Sequence, residues 1–561
     1  MIAISQKSGA DALTLLGDNG FANRFSALYN DCPWATSFQT IEYIRTWYES
    51  YKDAYNPLIL IGEHYDGTLT GCLALAVANQ AAELSIIVAG GHQAEYQGWL
   101  ARPKDSSRFI AAALKHLADS GYLGTLHFKF LPPEIPPDWV DDTRGIVPAI
   151  QLRHHRRPLI DLRVWDDRVL RKKSNKSRIN RLKRLGKFEF RPLRSKAELE
   201  SVIDDIAAHY DLRQGAISDT SPFMEDPNKI LFHLRLMEAK NLVRAYGLFI
   251  DDVSIAALIG FKNRTSVSVG IFSYSPFIAQ HSPGKFLLYF IASDLREEGI
   301  QYFDLTPGGN WKERFANTHD NVTEATVYFL STEARKEAAA RRLETLAKRA
   351  VRTVGIEPAS LRSLVSKLKR FRLQSLPRRL KNLVRESREF RIYFMKVEHA
   401  KQFEPAEEFA RDRLTDLLAF HPYESWQTRQ RFLSSALGRI ESGCHAYSFV
   451  KDGKLLHCGW LADRQETAYF TEVGQKYKFP SNTAVLFDFF TFPEVRGCGF
   501  YQKAIQTMAH DVATLGVADW ISISVLADNA PSRHVIEKLG FAYRHSLFQT
   551  TVLGRVRRWA E

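Results

Sequence analysis

Between Pro493 and Tyr501 the chain reads Pro-Glu-Val-Arg-Gly-Cys-Gly-Phe-Tyr. Small residues let a main chain approach a ligand closely, and amide N–H groups at the start of a following helix point at negative charge. The chemistry this permits is the cradling of a phosphate by Val495, Arg496, Gly497, Cys498, Gly499 and Phe500. Arg496 adds a cationic contact. Cys498 has the reactivity of a nucleophile, but a small residue filling a tight turn is the simpler reading. About thirty residues on, Asn529, Pro531 and Ser532 suit a helix start, and Gly540 suits a left-handed helix end.

The flanking patterns supply the elements that must position these groups. Apolar Ala484–Phe492 predicts a strand running into the loop. Helical spacing predicts a helix over Gln502–Leu515, followed by a strand over Trp520–Val525 and a helix over Ser532–Lys538. Earlier in the same third of the chain, helices are predicted at Ala406–Leu418 and Gln427–Glu441, with strands at Cys444–Lys451 and Lys454–Asp463.

This region resembles the GNAT superfamily of acyltransferases, whose signature is Arg/Gln-x-x-Gly-x-Gly/Ala between a strand and a helix. Arg496 and Gly499 match, while Tyr501 stands where Gly or Ala is commonest. Asn529 and the Leu539-Gly540-Phe541 run match the second signature of the family. The resemblance implies acetyl-CoA or another acyl-CoA as co-substrate and no metal. It places the pyrophosphate on residues 496–500, near Asn529 and Ser532, and the thioester between splayed strands. An amine or hydroxyl then attacks the thioester directly. Many family members carry a Tyr acid four residues before the Gly of the Gly-Phe pair. Here that position is Ile536, leaving His534, Tyr501 or water to protonate the leaving thiolate. Candidate bases are Glu472, on a strand expected at Ala468–Val473, and Asp488, on Ala484–Phe492. Each is weighed against an ordinary structural or solvated carboxylate.

The first 330 residues alternate helical and strand patterns, with a hairpin signal at Asp66-Gly67. A basic helix over 171–187 precedes an Arg213-Gln-Gly215 segment and Asp226-Pro227. Three strands follow at Val243–Ile250, Val253–Lys262 and Thr265–Phe272. Then come Ser282-Pro-Gly-Lys285 before a long helix, Tyr302-Phe-Asp304, and Gly309-Asn-Trp-Lys312. These features resemble the cellulose-biosynthesis acetyltransferase-like proteins, related to Fem-type peptidyltransferases. Trp311 replaces their usual Tyr. The resemblance implies a pair of GNAT-like lobes, with Lys285 near donor phosphates and Lys312 and Arg314 near an anionic group of donor or acceptor.

Charge is unevenly placed. The 561 residues carry a formal net charge of +13. Residues 333–389 hold seventeen Lys/Arg against six Glu, so one segment accounts for nearly all of the excess. It reads as a helical linker suited to an anionic membrane surface or an acidic carrier protein, weighed against a merely solvated arm. Sparse aromatics argue against single-strand nucleic-acid binding. Five scattered cysteines without a Cys-x-x-Cys pair argue against a disulfide framework and a structural zinc site. No signal peptide and no apolar run of about 18 residues is present. The expectation is a cytoplasmic protein, able to sit at the inner face of a membrane.

The fold class expected is α/β with mixed sheets: a lobe over 1–160, a Fem-type lobe over 161–330, a basic linker over 331–394 and a GNAT domain over 395–561. The expected function is acyl-CoA-dependent N- or O-acyl transfer to a small-molecule or glycan-precursor acceptor, in cell-envelope or polysaccharide-related metabolism. Two alternatives stand beside it: Fem-type aminoacyl transfer from tRNA, and a non-catalytic membrane or complex scaffold.

Overall fold

The computed structural model describes residues 2–79, 84–239, 241–336, 339, 385–424, 427–552 and 555–561. Most of the basic segment 333–389, with its expected helices, lies outside the described residues. The chain forms two compact units, residues 1–207 with 223–354 and residues 208–222 with 355–561.

The first unit holds two sheets. One is antiparallel and ordered Ala3–Ser8, Tyr55–Glu63, Leu69–Ala78, Ile86–Val88, with Leu100–Ala101 also pairing to Leu69–Ala78. The other has eight strands in the order Thr125–Leu131, Thr318–Tyr328, Ala149–Asp161, Tyr302–Asp304, Ser266–Tyr274, Val253–Lys262, Val243–Ile250, Phe188–Leu193. Helix Pro283–Glu297 buries Phe286, Leu287, Leu288, Ile291, Ala292 and Leu295 in the core over this sheet. Burial of each large side chain stabilises by about 1.5–3 kcal/mol.

The long strand Ala149–Asp161 has no apolar alternation to announce it, because its middle reads Arg-His-His-Arg-Arg. It forms through pairing with Thr318–Tyr328 from Ala149 to Leu159. Cross-strand charges hold the polar part: the His155 ring lies 2.9 Å from Glu324, and Arg157 Nε donates to Asp320 Oδ1 at 2.7 Å.

The second unit has an eight-stranded sheet ordered Ala410–Arg411, Cys444–Lys451, Lys454–Ala462, Thr483–Thr491, Trp520–Leu526, Arg385–Lys396, Ala542–Val552, Arg555–Ala560. A small hairpin, Thr467–Phe470 with Gln475–Lys478, completes it. Helix Phe500–Leu515 lays Ala504, Ile505, Met508, Ala509 and Val512 against one face. The helix expected at Ala406–Leu418 is confined to Leu414–Leu418. Asp412 stops it earlier: its φ is +58°, and its carboxylate accepts the Ala446 N–H at 3.0 Å, tying the chain to the sheet edge.

Candidate functional site

In the second unit, strands Thr483–Thr491 and Trp520–Leu526 run parallel and pair from Thr483↔Trp520 to Leu486↔Ile523, then diverge. The opposite edge of Thr483–Thr491 explains the divergence. Against Lys454–Ala462, Cys458 faces Phe490 and Trp460 faces Phe487, so residues 488 and 489 bulge out opposite Gly459. Asp488 sits in the bulge with φ +47°. Gly459 is required there, since a Cβ would lie 2.6 Å from the Phe489 ring. The bulge bends the strand away from its parallel neighbour and opens a wedge between them.

The chain leaves this wedge through a short 3₁₀ turn, Pro493–Val495, and enters helix Phe500–Leu515 from Gly499. Gly497 and Gly499 have φ of +83° and +85°, and a Cβ on either would meet nothing within 4 Å. They are glycines for backbone reasons, and the space above the loop is open. Among the described residues, the amides of Gly499, Phe500, Tyr501 and Gln502 have no acceptor. Arg496 lies along the loop: Nε donates to Thr491 O at 3.2 Å and Nη2 to the Tyr423 hydroxyl at 3.0 Å. Phe500 stacks on Phe449 with centroids 4.8 Å apart, which fixes the first helical turn. Cys498 is exposed and Val495 half-buried.

Across the wedge, helix Ala530–Lys538 begins at Asn529, whose side chain accepts the Ser532 N–H at 3.3 Å. Asn529 is therefore occupied as a cap. Tyr501 lies in the first turn of helix Phe500–Leu515. Its ring meets Phe489 edge-on at 4.9 Å, and its hydroxyl lies beside Ser532. Burial pushes the Tyr501 hydroxyl well above the usual phenol range, with Ser532 pulling it back, so it stays protonated at neutral pH.

The candidate carboxylates and His534 fall elsewhere. The strand expected at Ala468–Val473 ends at Phe470, and Glu472 lies half-buried in the turn of the hairpin. Its contacts are Thr471 and Arg388, neither part of the loop. Asp488 is ion-paired to Arg439, whose guanidinium also lies 5.0 Å from the Trp460 ring. His534 is exposed on its helix, while Ile536 is fully buried in the core. A different hydroxyl reaches this helix. Tyr393, on the strand next to Trp520–Leu526 and opposite Ile523, donates to Glu537 at 2.8 Å. Nothing in the spacing of the sequence marks Tyr393, because 130 residues separate it from the strand it joins.

The first unit contains a second loop-to-helix junction. Helix Pro283–Glu297 starts at Ser282, which has φ +58°. Gly284 admits close packing, since a Cβ would lie 2.9 Å from both Phe272 and Tyr274. The basic helix Lys173–Lys183 approaches this end: Arg178 donates to Ser282 Oγ at 2.7 Å, and Lys285 donates to Asn175 Oδ1 at 2.7 Å. Burial, then Arg178, Arg314 and Lys172, hold the Lys285 ammonium below its ordinary pKa. Four cations thus crowd one helix N-terminus.

Lys312 belongs to another cluster. Its ammonium donates to Thr306 Oγ1 at 2.9 Å and to the carbonyls of Thr306 and Pro307. Burial lowers its pKa to about 8, opposed by Glu95 and Asp304. Asp304 is fully buried; it accepts Tyr96 Oη at 2.5 Å, Arg157 Nη1 at 3.3 Å and the Thr306 N–H at 2.8 Å. The structure therefore brings Arg314 to Lys285 and Lys312 to Asp304. The Tyr96 and Arg157 partners were missing from the sequence reading.

Two family models match stretches that contain these junctions. Residues 170–315 match a family model described as acetyltransferase (GNAT) domain, and residues 411–541 match the acetyltransferase (GNAT) family. No curated protein matches the sequence. Similar solved structures include FemX, at 10% identity over 56% of this chain and 97% of that one with a TM-score of 0.41. L-PGS from Bacillus licheniformis aligns at 12% identity over 55% and 91%, TM-score 0.34. A conserved protein from Bacteroides thetaiotaomicron aligns at 12% over 58% and 100%, TM-score 0.38. Among the described residues, no helix is long and apolar enough to cross a membrane and no His/Cys/Asp/Glu group is arranged for a metal.

Proposed function

Starting from a chain built of GNAT-like acyltransferase modules, we propose that it is an acyl-CoA-dependent N- or O-acyltransferase whose donor lies on the 495–502 loop. The observation that carries this is the set of amides at Gly499–Gln502 that have no acceptor among the described residues, at the loop that leads out of the wedge. Those N–H groups and the Arg496 guanidinium bind the diphosphate. The wedge receives the rest of the donor, and the amides of the 488–489 bulge polarise the acyl carbonyl. The thioester supplies an activated acyl group, which the acceptor amine or hydroxyl attacks directly. Tyr501, protonated and between the two helices, is the best-placed donor of a proton to the leaving thiolate. Asp488 serves as base only when its ion pair with Arg439 opens. The acceptor is a small molecule or glycan precursor of the cell envelope, and the basic segment 333–389 holds the protein at an anionic surface or carrier. Calorimetric titration of the whole chain with acetyl-CoA tests the donor site. Saturable binding that weakens in Arg496→Ala is expected; binding indifferent to Arg496 and Gly499 contradicts it.

A second reading is favoured by the crowded cations at Ser282–Lys285. These cations have no ion-paired carboxylate among the described residues, and like charges held together are costly unless a polyanion joins them. This suits aminoacyl transfer from tRNA by the first unit. Purified protein that carries nucleic acid, lost in Arg178→Glu, supports it; protein free of nucleic acid that does not bind added tRNA contradicts it.

A further inference from the structure

The first unit encloses a cleft of about 320 Å³ that neither donor junction uses. It lies at the start of strand Ser266–Tyr274, whereas the Ser282–Lys285 junction lies beyond that strand's other end. Its lining includes the exposed Pro33 and Pro133 and the buried Trp34 and Pro132. The polar part of the lining carries Arg157, Asp320, Arg264 and Ser266.

Charge decides what this cleft accepts. Arg157 is already neutralised, since it bonds to Asp304 and Asp320 together. The Arg264 guanidinium donates to the Asn30 carbonyl at 2.8 Å, and Glu134 lines the same cleft. Two guanidiniums therefore face two carboxylates in the lining, and the surplus positive field that a phosphate requires is missing. Asp320 stays partly exposed, with lone pairs left for further donors. Donors and acceptors combined with the exposed rings of Pro33 and Pro133 match a pyranose ring, with hydroxyls at its edge and C–H groups on its faces. A cleft of this volume is at the small end of ligand sites, which run from about 300 Å³.

We infer that this cleft is a binding site for a neutral saccharide of one or two rings. The inference bears on the acceptor of the proposed transfer, yet it concerns the first unit alone and stands whichever loop holds the donor.

The test is saturation-transfer NMR on the full chain without any acyl donor, using maltose, cellobiose and N,N′-diacetylchitobiose as probes and UDP as the anionic control. At least one saccharide is expected to bind with a dissociation constant of about 1 mM or tighter. Asp320→Asn should weaken it by about tenfold or more, the effect of losing a charge-assisted hydrogen bond. Thr265→Trp, a change at an exposed rim residue that fills the cleft without touching the Arg157 network, should abolish it. No saccharide binding, saccharide binding unchanged in both variants, or displacement of saccharide by equimolar UDP each overturns the proposal. Because no donor is present, these outcomes are independent of the acetyl-CoA titration.

Discussion

Replacing Gly499 by Ala separates the stability of the loop from its use. The residue has φ +85°, where an L side chain is strained by about 1–2 kcal/mol. The added Cβ meets nothing within 4 Å, so backbone strain is the whole folding cost. For a unit of this size, each 1 kcal/mol lowers Tm by about 2–4 °C. Binding should suffer more. The methyl stands in the open space above the loop where a diphosphate would lie, and relief of strain turns the neighbouring amides away. Loss of one charge-assisted hydrogen bond costs about 1.5–3 kcal/mol, or about 10- to 150-fold in affinity. The assay pairs thermal unfolding with calorimetric titration of acetyl-CoA. Gly438→Ala is the control: it lies in helix Arg429–Glu441 with nothing within 4 Å, and should gain about 0.5–1 kcal/mol without changing affinity. A Gly499→Ala protein that melts lower yet binds acetyl-CoA as tightly as before refutes the assignment of the loop.

Further outcomes follow from other contacts. Gly459→Ala drives a Cβ to within 2.6 Å of Phe489, so it should cost about 1–3 kcal/mol and disturb the bulge, read as a fall in Tm and in acyl transfer together. Lys285→Met removes one of the cations crowded with Arg178, Arg314 and Lys172; the salt dependence of heparin binding should fall by about one counterion. His445 has its pKa raised above 6.5, first by its 2.6 Å hydrogen bond to Asp412. Its contribution is therefore complete below pH 6.5 and lost as pH rises through the folded value. His445→Gln should cost about 1.5 kcal/mol in urea unfolding at pH 6 and clearly less at pH 9.

The loop was legible because its chemistry is local. Gly497 and Gly499 demand left-handed backbone, and apolar strand and helix patterns flank them within thirty residues. The wedge itself was not legible, for it depends on a bulge opposite Gly459, forty residues upstream and on another strand. Ala149–Asp161 escaped because charged cross-strand pairs replace apolar alternation. Glu472 was misplaced on a strand because the apolar run Ala468–Phe470 continues only into a turn. The Asp304 cluster draws Tyr96 and Arg157 from segments far away in the chain to meet the nearby Lys312, a juxtaposition that only the tertiary fold creates.

The central claim is that the Gly499–Gln502 amides hold the donor. Hydrogen–deuterium exchange of the whole chain, with and without saturating acetyl-CoA, reads those amides directly. Slowed exchange across residues 497–502 is the expected result. Donor binding that leaves these amides exchanging as fast as in the free protein would contradict the account.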